Sequence, residues 1–335
     1  MKTDLIVVGG GIIGLYSAYT LALRGLNVTL LDRSKVGAEC SSAAGGILTT
    51  LLPWNYTAEI NYLISSAYHE YQQLSEQLLA DTGVDIQLWQ CGMQSVHNPK
   101  ELDLAVSWCE HHDCDYSVQN GRLTLKHTAQ LVPSLLIKGL HTRIQQLGVT
   151  ILEDTQVNNC SHTNGRVTGL DTSQGFMDCE KLLWTTGAWA KTLSAEQGAV
   201  EAPAVRPIKG QMIVFEAEPG VLNQIVYRAG HYLIPRKNGH ILAGSTLENS
   251  GYNQDVTPEA RQLLLQQSTD LLPELADYPI IQHWSGLRPY SETERPIISE
   301  HSDIKGLYLN CGHHRYGICM APKSAQLIAD LILAS

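Results

Sequence analysis

The sequence predicts a mixed α/β (α+β) fold, in which a Rossmann-like domain of discontinuous segments is joined to a second domain built on an antiparallel sheet. Three observations predict it. The chain starts with a strand, a glycine-rich turn, a helix and a second strand. A later strand returns to Gly187 after a long intervening segment. Residues 205–255 are rich in strands, and Asn238-Gly239 among them is typical of a type I′ hairpin.

The strongest motif is the glycine-rich turn, G-x-G-x-x-G at Gly9, Gly11 and Gly14. Gly9 makes a tight turn, Gly11 lets the backbone approach a pyrophosphate, and Gly14 lets the helix pack against the strand. The start of that helix offers unpaired N–H groups to phosphate oxygens. Asp32 ends the second strand, where a carboxylate can accept from ribose hydroxyls. Strand, helix, strand and acid in this order predict a dinucleotide site, with strands at 5–8 and 28–31 and the helix at 12–23.

A run of small residues, GAECSSAAGGIL at 37–48, follows directly after the second strand. An NAD-binding domain would usually continue with further strand–helix units. Small side chains let the backbone approach a flat ring, and the hydroxyl groups can reach phosphate or ring atoms. The position of the run therefore favours FAD, which needs a second contact, although a flexible linker has a similar composition.

The remaining elements follow from apolar spacing. Residues 150–186 predict three or four strands with hairpin-like turns, and residues 84–130 give weak signals. Pro322 is predicted to lie near the first turn of the last helix. The predicted helices span residues 58–83, 134–147, 258–271 and 321–333.

The order of these elements predicts two intimately joined domains, because the cofactor domain resumes after long insertions. The predicted FAD-binding domain comprises residues 1–50, 135–204 and 284–335. The predicted substrate-binding domain comprises residues 51–134 and 205–283.

Composition excludes several classes of protein. Of the 335 residues, 44% are hydrophobic and 17% charged, which is typical of a folded domain, and the net charge is −10. No basic stripe is present, so neither nucleic acid nor an anionic membrane surface is an expected partner. The sequence contains no run of about 18 apolar residues, so no membrane span is predicted. The eight cysteines form no CxxC, which favours reduced thiols and a cytoplasmic location.

Two histidine- and cysteine-rich stretches raise the question of a metal. One is NCGHHRYGICMAP at 310–322, and the other is CEHHDC at 109–114. Neither has a second cluster at ligand spacing, so no metal site is predicted. Cys319 is a candidate for a covalent flavin tether, but we expect non-covalent FAD.

Several motifs together resemble the D-amino-acid-oxidase-type flavoproteins, and within them the glycine-oxidase group of thiamine biosynthesis. The resemblance covers nearly the whole chain and is weakest at about 93–130. It rests on VVGGGIIGL, SSAAGGIL, GVDIQ, GAWA, PIKGQM, YLIPRKNGHILAGSTLE, HWSGLRP and GHHRYGICMAP.

The resemblance implies a role for each matching residue. Arg288 and Arg315 would bind the substrate carboxylate, Tyr232 would help to hold the substrate, and the loop 313–319 would cover the isoalloxazine. His314 and Tyr316 differ from the usual residues of the group and are candidate determinants of which amine fits. The implied FAD-binding residues are Gly9, Gly11, Ile12, Ile13, Gly14, Asp32, Arg33, Ser41, Ser42, Gly45, Gly46, Ile47, Val157, Gly187, Gly312, His313, His314, Arg315, Tyr316, Gly317 and Ile318.

The implied reaction is oxidative deamination of glycine or another small amino acid. Hydride transfer to the flavin gives an imine, which hydrolyses to a keto acid and ammonia, while molecular oxygen becomes hydrogen peroxide. One alternative is a D-amino-acid or secondary-amine oxidase or dehydrogenase that passes electrons to another acceptor. A second is an FAD-binding protein without amine oxidation, such as a tRNA-modification subunit, which the absence of a basic patch disfavours. The group contains tetramers, so a homo-oligomer is possible.

Overall fold

The computed structural model describes residues 3–49, 51–191 and 203–335. Residues 1, 2, 50 and 192–202 of the predicted FAD-binding domain therefore lie outside the described part of the chain. Seven α-helices lie in the described residues: α1 (Ile12–Leu23), α2 (Ala58–Ile64), α3 (Ala67–Thr82), α4 (Pro99–His111), α5 (Pro133–Gln146), α6 (Pro258–Leu271) and α7 (Gly317–Leu333). The described strands, in chain order, are β1 (Leu5–Val8), β2 (Val28–Leu31), β3 (Ile47–Leu48), β4 (Trp89–Gln90), β5 (Met93–Val96), β6 (Tyr116–Gln119), β7 (Arg122–Leu125), β8 (Ala129–Gln130), β9 (Thr150–Leu152), β10 (Val157–Thr163), β11 (Arg166–Thr172), β12 (Gly175–Asp178), β13 (Leu182–Trp184), β14 (Val205–Phe215), β15 (Ile225–Arg228), β16 (His231–Pro235), β17 (Ile241–Gly244), β18 (Ile280–Ser291), β19 (Ile297–Glu300) and β20 (Leu307–Cys311).

A six-stranded sheet with the order β19-β20-β13-β1-β2-β9 carries the glycine-rich turn. All neighbouring strands are parallel except β19 and β20. Every residue of β1 is buried, as expected for a parallel strand covered on both faces. Leu5 and Val7 face the helices, whereas Ile6 and Val8 face the antiparallel sheet β10-β11-β12. The predicted Rossmann-like layer is therefore confirmed.

An eight-stranded sheet with the order β18-β14-β17-β16-β15-β5-β7-β6 forms the second layer. Its neighbours are antiparallel except β15 and β5. Helix α6 packs on this sheet through Leu264, which is fully buried. Parallel and antiparallel sheets in one chain confirm the predicted mixed α/β fold. Strand β18 runs across the predicted domain boundary at 283/284, and the division into domains remains a prediction.

Most predicted helices are present, with differences at their ends. Helices α1 and α6 have the predicted bounds, and α5 is displaced by one residue. The helix predicted at 58–83 is divided into α2 and α3 at Ser65 and Ser66. The Ser65 hydroxyl donates to Tyr62 O at 2.9 Å, a local bond that competes with continued helix.

The last helix begins at Gly317, so the predicted start at residue 321 is wrong. Pro322 consequently lies inside α7 rather than near its first turn. A proline has no N–H for the carbonyl four residues earlier, here that of Ile318. The buried Tyr71 hydroxyl donates to Ile318 O at 2.7 Å instead, which satisfies the carbonyl.

Two predictions in strand-rich segments need correction. Residues 150–186 contain five strands, β9 to β13, where three or four were predicted. A hairpin joins β16 and β17, as predicted, but φ is positive at Gly239 (95°) and not at Asn238. A type I′ turn requires positive φ at both central residues, so the predicted turn type is wrong. None of the described helices combines the length and the apolar character needed to cross a membrane.

Candidate active site

The glycine-rich turn brings β1, the start of α1 and the end of β13 into close contact. Gly9 has φ +104°, and a Cβ atom there would lie 2.6 Å from Thr185 O. A Cβ atom on Gly14 would lie 1.8 Å from Gly9 O, so only glycine lets the helix approach the turn. Gly11 precedes the first turn of α1, and Ile12 N donates to Ser41 Oγ at 2.8 Å. The turn therefore packs as the motif predicted.

Both carboxylate oxygens of Asp32, at the end of β2, accept hydrogen bonds from backbone N–H groups. Gly10 N donates to Oδ2 at 2.7 Å, and Ser34 N donates to Oδ1 at 2.8 Å. Burial raises the pKa of the Asp32 carboxyl, and the hydrogen bonds from Ser34 and Gly10 oppose this shift. Ser34 Oγ also donates to Oδ1 at 3.1 Å, so Oδ2 is the oxygen that can accept a further hydrogen bond, as contact with a ribose hydroxyl requires.

A cleft lined by residues of both large sheets contains most of the predicted site. It brings together segments that are far apart in the chain, including the end of β2, the loop before β3, β16, β18 and the start of α7. The predicted residues in its lining are Gly9, Gly11, Ile12, Ile13, Asp32, Arg33, Ser41, Gly45, Gly46, Ile47, Val157, Gly187, Tyr232, Arg288, His313, His314, Arg315, Tyr316, Gly317 and Ile318.

Three predicted cofactor residues are not in this lining. Gly14 acts through helix packing, as described above. Ser42 lines a second depression, and its hydroxyl donates to Glu39 O at 3.1 Å, because residues 38–42 form consecutive turns. Gly312 has φ +82°, and a Cβ atom there would meet Ser291 Cβ at 3.0 Å. Glycine at 312 therefore allows the positive φ of the loop and its close approach to Ser291.

The cleft also contains residues that sequence reasoning missed, notably Thr155, Thr186 and Trp189. Trp189 is half-buried, and the Arg33 guanidinium lies 3.9 Å from the centre of its ring. The signal for Thr186 and Trp189 was their place beside Gly187 in TTGAW. Thr155 had no comparable signal.

The cleft residues fit FAD by two independent observations. Thr186 Oγ1 and His313 Nε2 are buried and have no hydrogen-bond partner among the described residues, so each can bond to a polar ligand atom. Gly9 and Gly11 line the cleft without side chains, so a pyrophosphate there would meet the backbone at the start of α1 directly. Cys319 also lines the cleft, but burial raises the pKa of its thiol to about 12. It is therefore a thiol and not a thiolate at neutral pH, consistent with non-covalent FAD.

Arg288 projects from β18 and lies flat on the backbone of β14. Its Nη2 donates to Ser245 Oγ at 2.7 Å, and its Nη1 donates to Thr246 O at 3.2 Å. A Cβ atom on Gly210 would lie 2.1 Å from Nη2, so this stacking requires glycine at 210. These contacts hold the guanidinium in one orientation in the cleft.

Arg315 is the second cation of the cleft and lies in a 3₁₀ turn just before α7. No carboxylate among the described residues forms an ion pair with Arg288 or Arg315, whereas five other arginines do. Buried or half-buried cations are normally paired. Two unpaired cations in one cleft therefore favour an anionic ligand. Tyr232 lies in the same lining, with its hydroxyl 3.9 Å from Met212 Sδ.

The two adjacent histidines are neutral at physiological pH. Burial lowers the pKa of His313 to about 3. Burial, followed by the charges of Arg288, Arg315 and Arg206, lowers the pKa of His314 to about 3. No group of three or more possible metal ligands occurs in the parts of the chain that the structure describes.

Tyr316 forms a fixed wall of the cleft. Its hydroxyl donates to Tyr56 Oη at 2.6 Å, and the two rings meet edge to face at 5.2 Å between centroids. The His314 ring packs in the same way against Tyr290 at 5.0 Å. The two residues that depart from the family pattern are thus both held by aromatic neighbours.

Comparisons with known proteins agree with this geometry. Residues 4–331 match the family described as "DAO: FAD dependent oxidoreductase". The chain is 36% identical to the glycine oxidase of Pseudomonas putida, with 99% of this chain and 95% of that protein covered. It is 31% identical to the bifunctional protein ThiO/ThiG of Nostoc sp., with 99% of this chain and 53% of that protein covered. The solved structure of glycine oxidase from Bacillus cereus matches with a TM-score of 0.91 at 27% identity, covering 99% of this chain and 95% of that one.

Proposed function

Since this chain belongs to the DAO family of FAD-dependent oxidoreductases and is an enzyme acting on the CH–NH2 group of an amine or amino acid, we propose that its substrate is glycine or a similarly small amino acid. We further propose that molecular oxygen accepts the electrons. The glycine oxidase of Pseudomonas putida supports both proposals. The relative named ThiO/ThiG supports the link to thiamine biosynthesis that the sequence resemblance implied.

The observation that carries the proposal is the pair of unpaired cations, Arg288 and Arg315, in the cleft. The carboxylate is the one handle that every α-amino acid offers, and a guanidinium binds it through two charge-assisted hydrogen bonds. We assign this contact to Arg288, because Gly210 and Thr246 fix its orientation. Arg315 adds a second positive charge, and the Tyr232 hydroxyl limits rotation of the bound substrate.

Fixing the carboxylate orients the α-carbon, which is the main contribution expected from the protein. When bound, FAD supplies the redox chemistry by accepting a hydride from the α-carbon. The substrate amine must be neutral to supply electron density as the hydride leaves. Neutral His313 and His314 add no positive charge that would oppose this. We assign no general base to the α-hydrogen.

The overall stoichiometry is amino acid plus oxygen plus water, giving keto acid, ammonia and hydrogen peroxide. With glycine the keto acid is glyoxylate. The hydrogen bond between Tyr316 and Tyr56 supports a small substrate. It holds the Tyr316 side chain in place, and moving that side chain to admit a larger substrate would break the bond. His314 and Tyr316 remain predicted determinants of which amine fits. The cytoplasmic location and a possible homo-oligomer remain predictions from the sequence.

The first prediction concerns the substrate. Glycine, sarcosine and D-alanine are mixed one at a time with the FAD-loaded enzyme under anaerobic conditions, and loss of flavin absorbance is followed in a single turnover. We expect bleaching with at least one of them. Admission of oxygen should then restore the absorbance and release hydrogen peroxide. A yellow protein that a broad amine panel leaves oxidised would refute the proposal.

Substitutions of the two cleft arginines test whether they bind the substrate. Arg288→Ala and Arg315→Ala should each raise KM for the amino acid, while Arg295→Ala, on the surface beside Glu59, should not. Bleaching by the amine with reoxidation only by an artificial acceptor would favour the alternative, a dehydrogenase with the same half-reaction.

A further inference from the structure

Loop 43–46, the segment Ala43 to Gly46 in the cleft lining, is anchored through its carbonyl oxygens. Ala43 O accepts from Trp284 Nε1 at 3.1 Å, and Gly45 O accepts from Arg236 Nη2 at 2.8 Å. Gly46 O accepts from Leu131 N at 3.0 Å. Three of the four carbonyl groups are thus committed to protein donors, and one of these donors is a cation.

Arg236 is fixed by more than this one bond. Its Nη1 donates to Leu131 O at 3.1 Å and to Gln130 Oε1, and Gln130 Nε2 in turn donates to Pro235 O. Gln130 is itself 1% exposed. The guanidinium therefore lies in a rigid cradle of neutral acceptors between the hairpin of β16 and β17 and loop 43–46.

The charge of Arg236 is not neutralised locally. No carboxylate among the described residues forms an ion pair with it; Glu39, which lines the same depression, pairs with Arg33 at 3.0 Å. The second acid of that depression, Asp85, accepts from Gln87 N at 2.7 Å. Burial lowers the pKa of Arg236 to about 10, so the group stays protonated at neutral pH. Arg236 is half-buried and its charge is held in one place, so the charge is screened less than one in bulk water and acts over several ångströms.

We propose that Arg236 is a positioning residue that acts on the flavin through loop 43–46 and stabilises the negative charge of the reduced flavin. Addition of a hydride to neutral oxidised flavin gives an anion, so a nearby fixed cation favours the reduced state. The inference rests on the proposed placement of the flavin against loop 43–46 and is independent of which amine is oxidised. It predicts that Arg236 raises the flavin reduction potential and strengthens binding of sulfite, which also leaves a negative charge on the flavin.

The test compares Arg236→Met, Arg236→Lys and the exposed neighbour Lys237→Met. For each FAD-loaded protein, the midpoint potential is measured by photoreduction without any amine, and the dissociation constant of sulfite is measured by flavin absorbance. We expect Arg236→Met to weaken sulfite binding at least tenfold and to lower the potential by about 30 mV, a tenfold change in a two-electron equilibrium. Arg236→Lys should recover most of both effects, and Lys237→Met should change neither.

A second variant provides the same test if Arg236→Met does not fold. Gln130→Glu places a carboxylate against the intact guanidinium and should lower the potential in the same direction. Unchanged potential and sulfite affinity in Arg236→Met or Gln130→Glu would overturn the inference, and so would equal shifts in Arg236→Met and Arg236→Lys. Because these measurements use no amine, their failure leaves the amine panel as a separate test of the proposed function.

Discussion

At the scale of single residues, the site depends on a contact between a guanidinium and a glycine. Strands β14 and β18 pair so that Arg288 lies opposite Ile208 and diagonal to Gly210. The long side chain turns back over Gly210, where the absence of a Cβ atom leaves room for it. Gly210 thus helps to orient a cation that it never bonds to.

The second prediction follows from this contact. Gly210→Ala should displace the Arg288 guanidinium from Ser245 Oγ and Thr246 O, because the new methyl group would lie 2.1 Å from Nη2. A lost charge-assisted bond is worth about 1.5–3 kcal/mol, so KM for the amino acid should rise about 10- to 100-fold. Steady-state kinetics would measure this rise in KM. A titration with FAD should show little change in FAD affinity.

A double-mutant cycle provides the control. In an Arg288→Ala background, Gly210→Ala should add little to KM, because the displaced group is already absent. Equal effects of Gly210→Ala in both backgrounds would show that the glycine acts through something other than Arg288.

At the scale of elements, α7 begins inside the cleft and contains a proline that the neighbouring helix compensates. Helix α3 supplies the Tyr71 hydroxyl to the carbonyl that Pro322 leaves without an N–H donor. Gly317 and Ile318, in the first turn of α7, also line the cleft. The hydrogen bond therefore stabilises the segment that follows Arg315.

The third prediction is that Tyr71→Phe destabilises the protein by about 1–3 kcal/mol. The substitution removes the hydroxyl and leaves Ile318 O buried without a donor, which costs the desolvation energy of that group. Denaturant unfolding of the apoprotein measures the change. Tyr62→Phe, at a tyrosine that is 53% exposed, should change stability by less than about 0.5 kcal/mol. Equal effects of the two substitutions would contradict the assigned role.

At the scale of the whole molecule, buried neutral histidines link stability to pH. Burial lowers the pKa of His231 to about 4, and it lowers those of His313 and His314 to about 3. In the unfolded chain these groups have their ordinary pKa near 6.5. Between the two values the unfolded chain binds protons that the folded chain does not, so the free energy of unfolding falls as the pH falls below about 6.5.

The fourth prediction isolates one of these groups. His231→Gln should reduce the slope of unfolding free energy against pH between pH 5 and 6.5, by an amount that approaches about 1.4 kcal/mol per pH unit at the lower end. His231 is 4% exposed and contacts Ser268 Oγ at 3.1 Å, away from the cleft lining. His69→Gln, at an exposed histidine, should leave the slope unchanged. An unaltered slope in His231→Gln would show that this histidine does not contribute.

The sequence by itself determined the fold class and the first strand–helix–strand unit, and most of the site residues that it predicted lie in the cleft lining. These features depend on local patterns, such as the glycine spacing at residues 9–14, the buried strands beside it and the acid at residue 32, so each could be predicted from a short segment. The loop around Arg315 could also be predicted as part of the site, because a glycine lies on each side of it, at 312 and 317.

Tertiary structure alone decided which distant residues meet. The stacking of Arg288 on Gly210, the bond from Tyr71 to Ile318 O and the anchoring of Gly45 by Arg236 join residues that are far apart in the chain. Strand register, helix packing and close approach of the two sheets produce these contacts, and no local spacing encodes them. The start of α7 was mispredicted for the same reason, since a hydroxyl from another helix makes the proline tolerable within it.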